Sequence, residues 1–400
     1  MRIYSASSEE TLRARSLLKD WAGEDCITEA QYQRMEQETV CELRRTNIFL
    51  RLVLFLFTLI IVAAAVALFN VFLRPGMEAT GILLLIFAAI SYTGAEFAVS
   101  QFRLYRYGIE EALAACSVGF LCAGMQFALF ENRAYSQGRR EMEFLVPAAG
   151  AIASLWIWRR FGLAYAFLAA MIFAAFVPGH WTSSHAAQHT IIVAFYATAL
   201  MAVAAVRSRH RFTYLNEGYS IAEALLWFGI YLAINLQLSS VNLLGQWWRG
   251  SESTAEFSRP FYWTTWVLTW CLPPAILARG LLRKDRFVIA VGAAAAVLTF
   301  ITNKPYLGWP RHSWDPMLLG ALLIGVALYI RRWLAHGTGG IRHGFTAQRL
   351  SGKDKQWMNA GTLVLGLVSP NLLPPNPQSG SPDVHFGGGD SGGAGASSDF

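Results

Sequence analysis

Residues 48–72 read IFLRLVLFLFTLIIVAAAVALFNVF. A single charge, Arg51, interrupts a run long enough to cross the hydrocarbon core of a bilayer, which takes about 20 apolar residues. In lipid every backbone N–H and C=O must be paired within the segment, so such a run is a helix. Nine more runs follow: 80–100, 108–130, 144–158, 161–177, 189–206, 219–244, 262–278, 287–302 and 316–334. The fourth, fifth and ninth are short, and the fourth and fifth are joined by Arg159-Arg160, which reads as a tight charged hairpin. The sequence therefore predicts an all-α, polytopic membrane helix bundle of about ten transmembrane helices.

Composition agrees. Of 400 residues, 54% are hydrophobic and only 15% charged, against about a quarter charged in soluble proteins. Fourteen Trp and 26 Phe suit the aromatic belts of a membrane protein. These numbers exclude a soluble enzyme, a secreted disulfide scaffold and a fibrous protein. The net charge of +7 lies mostly beside apolar runs, so it reads as a topology signal and not as a nucleic-acid footprint. Cys26 and Cys41 lie in polar sequence, while Cys116, Cys122 and Cys271 lie in apolar runs. No C-x-x-C spacing occurs, and free thiols are expected. The first apolar run begins only after a long charged segment, so no cleavable signal peptide is expected and that run serves as an uncleaved anchor.

Lys and Arg in short loops set orientation. With the N-terminus inside, the inner loops hold Arg103 and Arg106, Arg159 and Arg160, Arg207, Arg209 and Arg211, and Arg279, Arg283, Lys284 and Arg286. The outer loops hold fewer. Both termini are therefore expected to be cytoplasmic. Residues 1–46 read as a cytoplasmic helical hairpin, with Gly23 ending one helix and Thr28 and Gln31 forming a capping box for the next. Residues 47–335 form the transmembrane domain. Residues 336–400, rich in Gly, Pro and Ser, are expected to be a disordered cytoplasmic tail.

An internal repeat is the most informative pattern. Tyr107-Gly-Ile109-Glu-Glu111-Ala112-Leu113 matches Tyr219-Ser-Ile221-Ala-Glu223-Ala224-Leu225. Arg160-Phe161, followed by Ala164, Ala169 and Ala170, matches Arg286-Phe287, followed by Ala290, Ala295 and Ala296. Halves at about 103–211 and 215–334 then form a four-plus-four parallel duplication, as in some transporters. Chance similarity between Ala- and Leu-rich helices is the alternative.

Candidate site residues follow from charge and polarity within the runs. Glu111 and Glu223 are the repeat-related carboxylates. A charge within a membrane helix costs about 2.5–3.5 kcal/mol on insertion scales and marks a functional candidate. The alternative is an acid in the first helical turn, stabilised by the helix dipole. Glu110 reads as solvated and nearer the surface. Glu96 lies deeper in its run. Asn235, Ser239 and Asn242, at i, i+4 and i+7 of the seventh run, share one helix face that contacts substrate or bonds between helices. His180, His185 and His189 are candidate metal ligands, the last two at i, i+4. His312 and Asp315 of the matching loop are further partners, and interfacial histidines beside tryptophan are the alternative. No Walker loop, H-E-x-x-H, G-x-S-x-G or paired-Cys pattern occurs, so neither a catalytic residue nor a cofactor is assigned.

The stretch Leu18-x-x-Trp21-x-Gly23-x-x-Cys26-Ile27-Thr28-x-x-Gln31, followed by a polytopic domain, resembles a bacterial predicted-membrane-protein family of unknown function. In that family a hairpin of the W-x-x-G-x-I-[ST]-x-x-Q kind precedes hydrophobic helices. Here Trp21 and Gly23 stand one residue closer. The resemblance covers about the first 60 residues and implies a bacterial inner-membrane protein, with no assigned activity. Together these readings predict a small-solute carrier that moves a small solute through the lipid bilayer, in a form that includes proton coupling. A scaffold or sensor, whose hairpin at 1–46 binds a cytoplasmic protein partner, is the second expectation. A membrane enzyme using the His-rich outer loops is the third.

Overall fold

The computed structural model describes residues 2–23, 26–39, 43–44, 46–130, 144–210, 213–238, 257–309, 312, 314–336, 341–342 and 345–346. Most of the predicted tail, with Ser239 and Asn242, lies outside them. The described chain is helical, apart from two two-residue strands, Ile341–Arg342 and Phe345–Thr346, paired antiparallel.

Before the membrane come α1 (Ala6–Gly23) and α2 (Glu29–Glu38). The Thr28 side chain accepts from Gln31 N, and Gln31 Oε1 takes Thr28 N–H at 2.9 Å, so the capping box starts α2. Then come α3 (Ile48–Leu73), α4 (Met77–Phe102), α5 (Ile109–Phe130), α6 (Leu145–Phe161), α7 (Ala164–Phe176) and the single turn α8 (Pro178–Trp181). The chain continues through α9 (His185–Arg209), α10 (Leu215–Ile234), α11 (Arg259–Arg283), α12 (Arg286–Tyr306) and α13 (Asp315–Ala335). Among the described residues, 8 helices are long and apolar enough to cross a membrane: α3, α4, α5, α7 continued by α8, α9, α11, α12 and α13. The chain is a multi-pass integral membrane protein.

The two helices left out of that set have physical reasons for it. α6 has 17 residues. α10 carries Asn216, Glu217, Ser220 and Glu223 in its first turns, yet it is the most enclosed helix, packing on α7, α9, α11 and α12. A helix screened from lipid by its neighbours need not be apolar all round. The neighbouring pairs follow one order through the bundle: α4 on α5 and α6 on α7, then α9 on α10 and α11 on α12. Small residues let backbones approach. A Cβ at Gly81 would lie 2.6 Å from Ala128 N. By contrast α3 buries no residue and α13 leaves Met317, Ile324 and Tyr329 exposed, as expected of helices facing lipid.

Three local readings of the sequence are corrected. The turn between α6 and α7 is not at Arg159-Arg160, which lie in the last turn of α6. It is at Gly162, whose φ of 74° suits a residue without Cβ. The two arginines then complement the helix C-terminus. The run 219–244 is not one helix. α10 ends at Ile234, and Asn235 caps it with an extended backbone; Ser239 and Asn242 lie outside the described residues. Glu110 is not solvated but fully buried.

The chain before α1 is part of the membrane domain. Ile3 N–H donates to the Arg160 carbonyl at 3.0 Å. Tyr4 is buried in one core cluster with Ala95, Val99, Ile157, Phe161 and Leu163, edge-on to Tyr105. A second cluster joins Phe167 and Met171 of α7 to Tyr196 and Leu200 of α9 and to Leu226 and Ile230 of α10.

Candidate functional site

The loops 103–108, 162–163, 213–214 and 284–285 converge at one end of the bundle, under α1, and line a cleft of about 1350 Å³. Segments far apart in the chain contribute: Arg106, Trp158, Gly162 and Arg207 from 103–211, Asn216, Arg283 and Lys284 from 215–334, and Arg2, Glu9 and Arg13 from the N-terminal segment. Its cations are Arg2, Arg13, Arg106, Arg207, Arg283, Lys284 and Arg286, and its acids are Glu9, Glu217 and Asp285. Arg106, Arg207, Arg283, Lys284 and Arg286 of the predicted inner loops, distant in sequence, thus meet around one water-accessible space.

Behind one wall lies a buried ion network. Glu223, fully buried in the third turn of α10, takes Arg279 Nε on Oε1 at 2.7 Å and Arg207 Nη1 on Oε2 at 2.8 Å, with Arg283 Nη1 at 3.3 Å. Arg207 also reaches Asp285 at 2.5 Å and Asn216 Oδ1 at 3.1 Å. Asp285 accepts from the Ser220 hydroxyl at 2.7 Å, and its other oxygen takes Phe287 N–H at 3.0 Å, capping α12. Burial alone would raise the Asp285 carboxyl. The Ser220 hydroxyl and the Arg207 guanidinium outweigh it and hold the group below the ordinary aspartate value. Four elements are tied by these groups: α9, α10, α11 and the start of α12.

The repeat-related Glu111 is held more simply. Arg51 of α3 grips it with both Nε (2.8 Å to Oε2) and Nη2 (2.5 Å to Oε1). Gly108 makes this docking fit: with φ of 108° its missing Cβ would stand 2.3 Å from the Arg51 carbonyl oxygen. Next to it, Glu110 Oε1 accepts Tyr107 N–H at 2.7 Å, and Oε2 has no hydrogen-bond partner among the described residues. Glu96, on α4, pairs with Arg160 at 2.7 Å and accepts from Tyr92 Oη at 2.7 Å, with Trp156 Nε1 on the same phenol at 2.9 Å. Glu96 and Glu111 therefore sit in two separate ion pairs, and Glu223 in a third, larger network. None of the three lines the cleft, although Arg207 and Arg283, which hold Glu223, do.

The remaining candidates are structural in their contacts. Asn235 is fully buried and donates Nδ2–H to Tyr231 Oη and Thr302 Oγ1, both at 2.9 Å, while Oδ1 accepts Gln237 N–H at 3.2 Å. It knots the end of α10 to α12. His189 Nδ1 lies 2.7 Å from the Ala233 carbonyl oxygen, tying α9 to α10. His180 and His185 do not join it: among the described residues no group of three His, Cys, Asp or Glu side chains is placed to hold a metal ion. Asp315 instead pairs with Lys304 at 2.5 Å and takes His312 N–H at 3.0 Å. The described cysteines, Cys26, Cys116, Cys122 and Cys271, are free thiols.

The residues that sequence reasoning missed are Arg2 and Glu9. Arg2 Nη1 pairs with Glu9 Oε1 at 2.7 Å, and its guanidinium lies 5.5 Å from the Tyr214 ring centroid. It seats where a Cβ on Gly162 would be 3.1 Å away. The available signal was the local pair of glycines, Gly162 and Gly218, each opening room for this one side chain. Comparison of the chain with protein-family models, with curated proteins and with solved structures yields no match.

Proposed function

We propose that this integral membrane protein is a carrier for a small anionic solute, and that the basic cleft is the solute's entrance from the cytoplasmic side. One observation carries the reading: a space of about 1350 Å³ lies at one end of the helix bundle, with cations in excess over acids on its walls. Clefts lined by one sign of charge concentrate ligands of the other. The basic loops around the cleft also fit a cytoplasmic face by the positive-inside rule. Counting α6 and α10 as spans gives ten crossings, places both termini on that side, and allows the four-plus-four duplication with alternating access between its halves. In the proton-coupled form, Glu223, whose charge holds Arg207, Arg279 and Arg283, is the coupling residue. The bacterial inner membrane is the location that this reading assigns.

The test is uptake into proteoliposomes of purified protein, across a panel of labelled organic and inorganic anions and matched neutral solutes. Saturable uptake of an anion that is weakened by Arg207→Gln or Arg283→Gln supports carriage. Uptake equal to empty liposomes for the whole panel overturns it.

A second reading is favoured by α2. It buries no residue, and its main packing partner among the described residues is α1, leaving its polar surface for a cytoplasmic protein. A scaffold or sensor of this kind needs no uptake, and loses its partner when Arg34→Glu and Gln37→Glu are placed on α2.

A further inference from the structure

Residues 2–10 fasten to both sides of the cleft. On one side the Ile3 N–H donates to the Arg160 carbonyl at 3.0 Å, and Tyr4, 6% exposed, joins a core cluster with Phe161 and Leu163. On the other the Tyr214 N–H donates to Glu10 Oε1 at 3.1 Å, and the Arg2 guanidinium lies 5.5 Å from the Tyr214 ring centroid. Arg2 fits between the two sides. A Cβ on Gly162 would stand 3.1 Å from its Cζ, and one on Gly218 would stand 3.5 Å from its Nη2. This hook leads into α1, whose Glu9, Leu12, Arg13 and Ser16 form part of the cleft wall. Within α1 only Glu9 and Leu18 are buried, and its main packing partner among the described residues is α2, not a membrane helix. An element with few buried contacts of its own opens at lower cost than one packed along its length.

Glu9 shows what α1 brings to the cleft. Its carboxylate, 5% exposed, takes Arg2 Nη1 on Oε1 at 2.7 Å, while Oε2 has no hydrogen-bond partner among the described residues. Burial pushes this carboxyl above the ordinary glutamate value, against the opposing pull of the Arg2 and Arg106 guanidiniums. Buried carboxylate oxygens are rarely left without a donor. The cleft therefore already holds an anion of the chain's own, set among cations and incompletely bonded. We propose that α1 is an autoinhibitory lid, latched over the cleft by the hook Arg2-Ile3-Tyr4, with Glu9 standing in for the incoming anion. The lid rests on the cleft being the entrance proposed above. An anion from the cytoplasm meets α1 first, and it competes with Glu9 for the positive field of the walls. Tyr4 sets how firmly the lid is held, because it is the hook's buried aromatic anchor. Arg2 joins the two functions, since one guanidinium both grips Glu9 and seats against Gly162 and Gly218.

The test uses the full chain in nanodiscs, cleared of its five native cysteines. Ala164→Cys is the reporter, because Ala164 is half-buried and lines the cleft. Two thiol reagents are compared, the anionic sulfonatoethyl and the neutral methyl methanethiosulfonate. Releasing the hook with Arg2→Gln and Tyr4→Ala should speed both reagents about fivefold or more, as local opening becomes easier. Glu9→Gln should speed the anionic reagent about threefold or more relative to the neutral one, since the competing charge is gone. An unchanged rate in the hook variant, or an unchanged ratio of the two reagents in Glu9→Gln, overturns the proposal. Cys116, buried in α5, is restored in a second chain to watch the fold. If it becomes labelled in the double variant, Arg2→Gln alone reports instead, because it leaves Tyr4 in the core. That variant must still speed labelling of Ala164→Cys about twofold, and an unchanged rate overturns the lid. Faster labelling without proteoliposome uptake of any anion in the panel sinks carriage and leaves the lid standing. Uptake with labelling unchanged by either hook variant sinks the lid and leaves carriage standing.

Discussion

Replacing Glu223 by glutamine tests the energetic core of the structure. The carboxylate is fully buried and receives Arg279 at 2.7 Å, Arg207 at 2.8 Å and Arg283 at 3.3 Å. Glutamine keeps the shape but removes the charge and turns one acceptor oxygen into a donor facing a guanidinium. Breaking a buried ion pair by removing one partner costs about 3–5 kcal/mol. Arg207 retains Asp285 at 2.5 Å. Arg279 and Arg283, with side chains 31% and 39% exposed, can turn toward water. The expected loss is therefore at the lower end, about 3 kcal/mol. Glu111→Gln breaks a single pair whose arginine is 30% exposed, so a loss of about 2 kcal/mol is expected, within the range for hydrogen bonds to charged groups. Glu96 is itself 31% exposed, and its loss should be about 1 kcal/mol or less. Equilibrium unfolding by SDS titration in mixed micelles measures all three. A loss below about 1 kcal/mol at Glu223, or a larger loss at Glu96 than at Glu223, refutes the assignment of Glu223 as the central tie.

Gly108→Ala should destabilise by more than about 2 kcal/mol in the same titration, from the left-handed backbone and the overpacking against Arg51 together; an unchanged midpoint contradicts the close approach. Asp285 titrates below its ordinary value in the fold. Its contribution is complete above the unfolded aspartate value of about 3.9 and is lost as pH falls through the lower folded value. Asp285→Asn should flatten the acid limb of a stability–pH curve, and an acid limb identical to that of the unaltered chain counts against the Ser220 and Arg207 contacts. Orientation is checked with single cysteines at Ser208 and Trp309 in a background from which all five native cysteines are removed. A membrane-impermeant maleimide added to intact cells should label Trp309→Cys and spare Ser208→Cys, and the reverse pattern inverts the proposed topology.

How far the sequence reaches can be seen residue by residue. Apolar runs locate the helices because lipid and core both demand apolar side chains over a helix length. Run 219–244 misled because periodicity carries no mark of where hydrogen bonding stops: Asn235 leaves the helix to bond Thr302 of a helix far away in sequence. The turn at Gly162 was masked by the charged pair before it, although a glycine beside arginines is itself a helix-ending signal. Glu111 and Glu223 were visible as unusual charges, but their partners were not. Arg51 lies two helices earlier, and Arg279 follows a stretch of chain outside the described residues. The cleft was the least legible feature. Its cations had been counted loop by loop as an orientation signal, and only folding brings Arg106, Arg207 and Lys284 around one space with Arg2.

The polarity of α10 has a consequence for how the chain enters the bilayer. A helix with an ionised Glu223 partitions poorly alone, since one such charge costs about 2.5–3.5 kcal/mol at insertion. The preceding helix already carries the remedy: Arg207 at the end of α9 meets Glu223 at 2.8 Å. The pair can leave the translocon as a hairpin whose charges cancel, while Arg279 and Arg283 arrive a helix later and complete the neutralisation. Biogenesis would then proceed in two stages at this point, with nascent chains truncated after α10 held in the membrane by Arg207 alone. An Arg207→Ala chain should stall there, exposing α10 to glycosylation or protease on the wrong side, even where the finished protein, once assembled, tolerates the change.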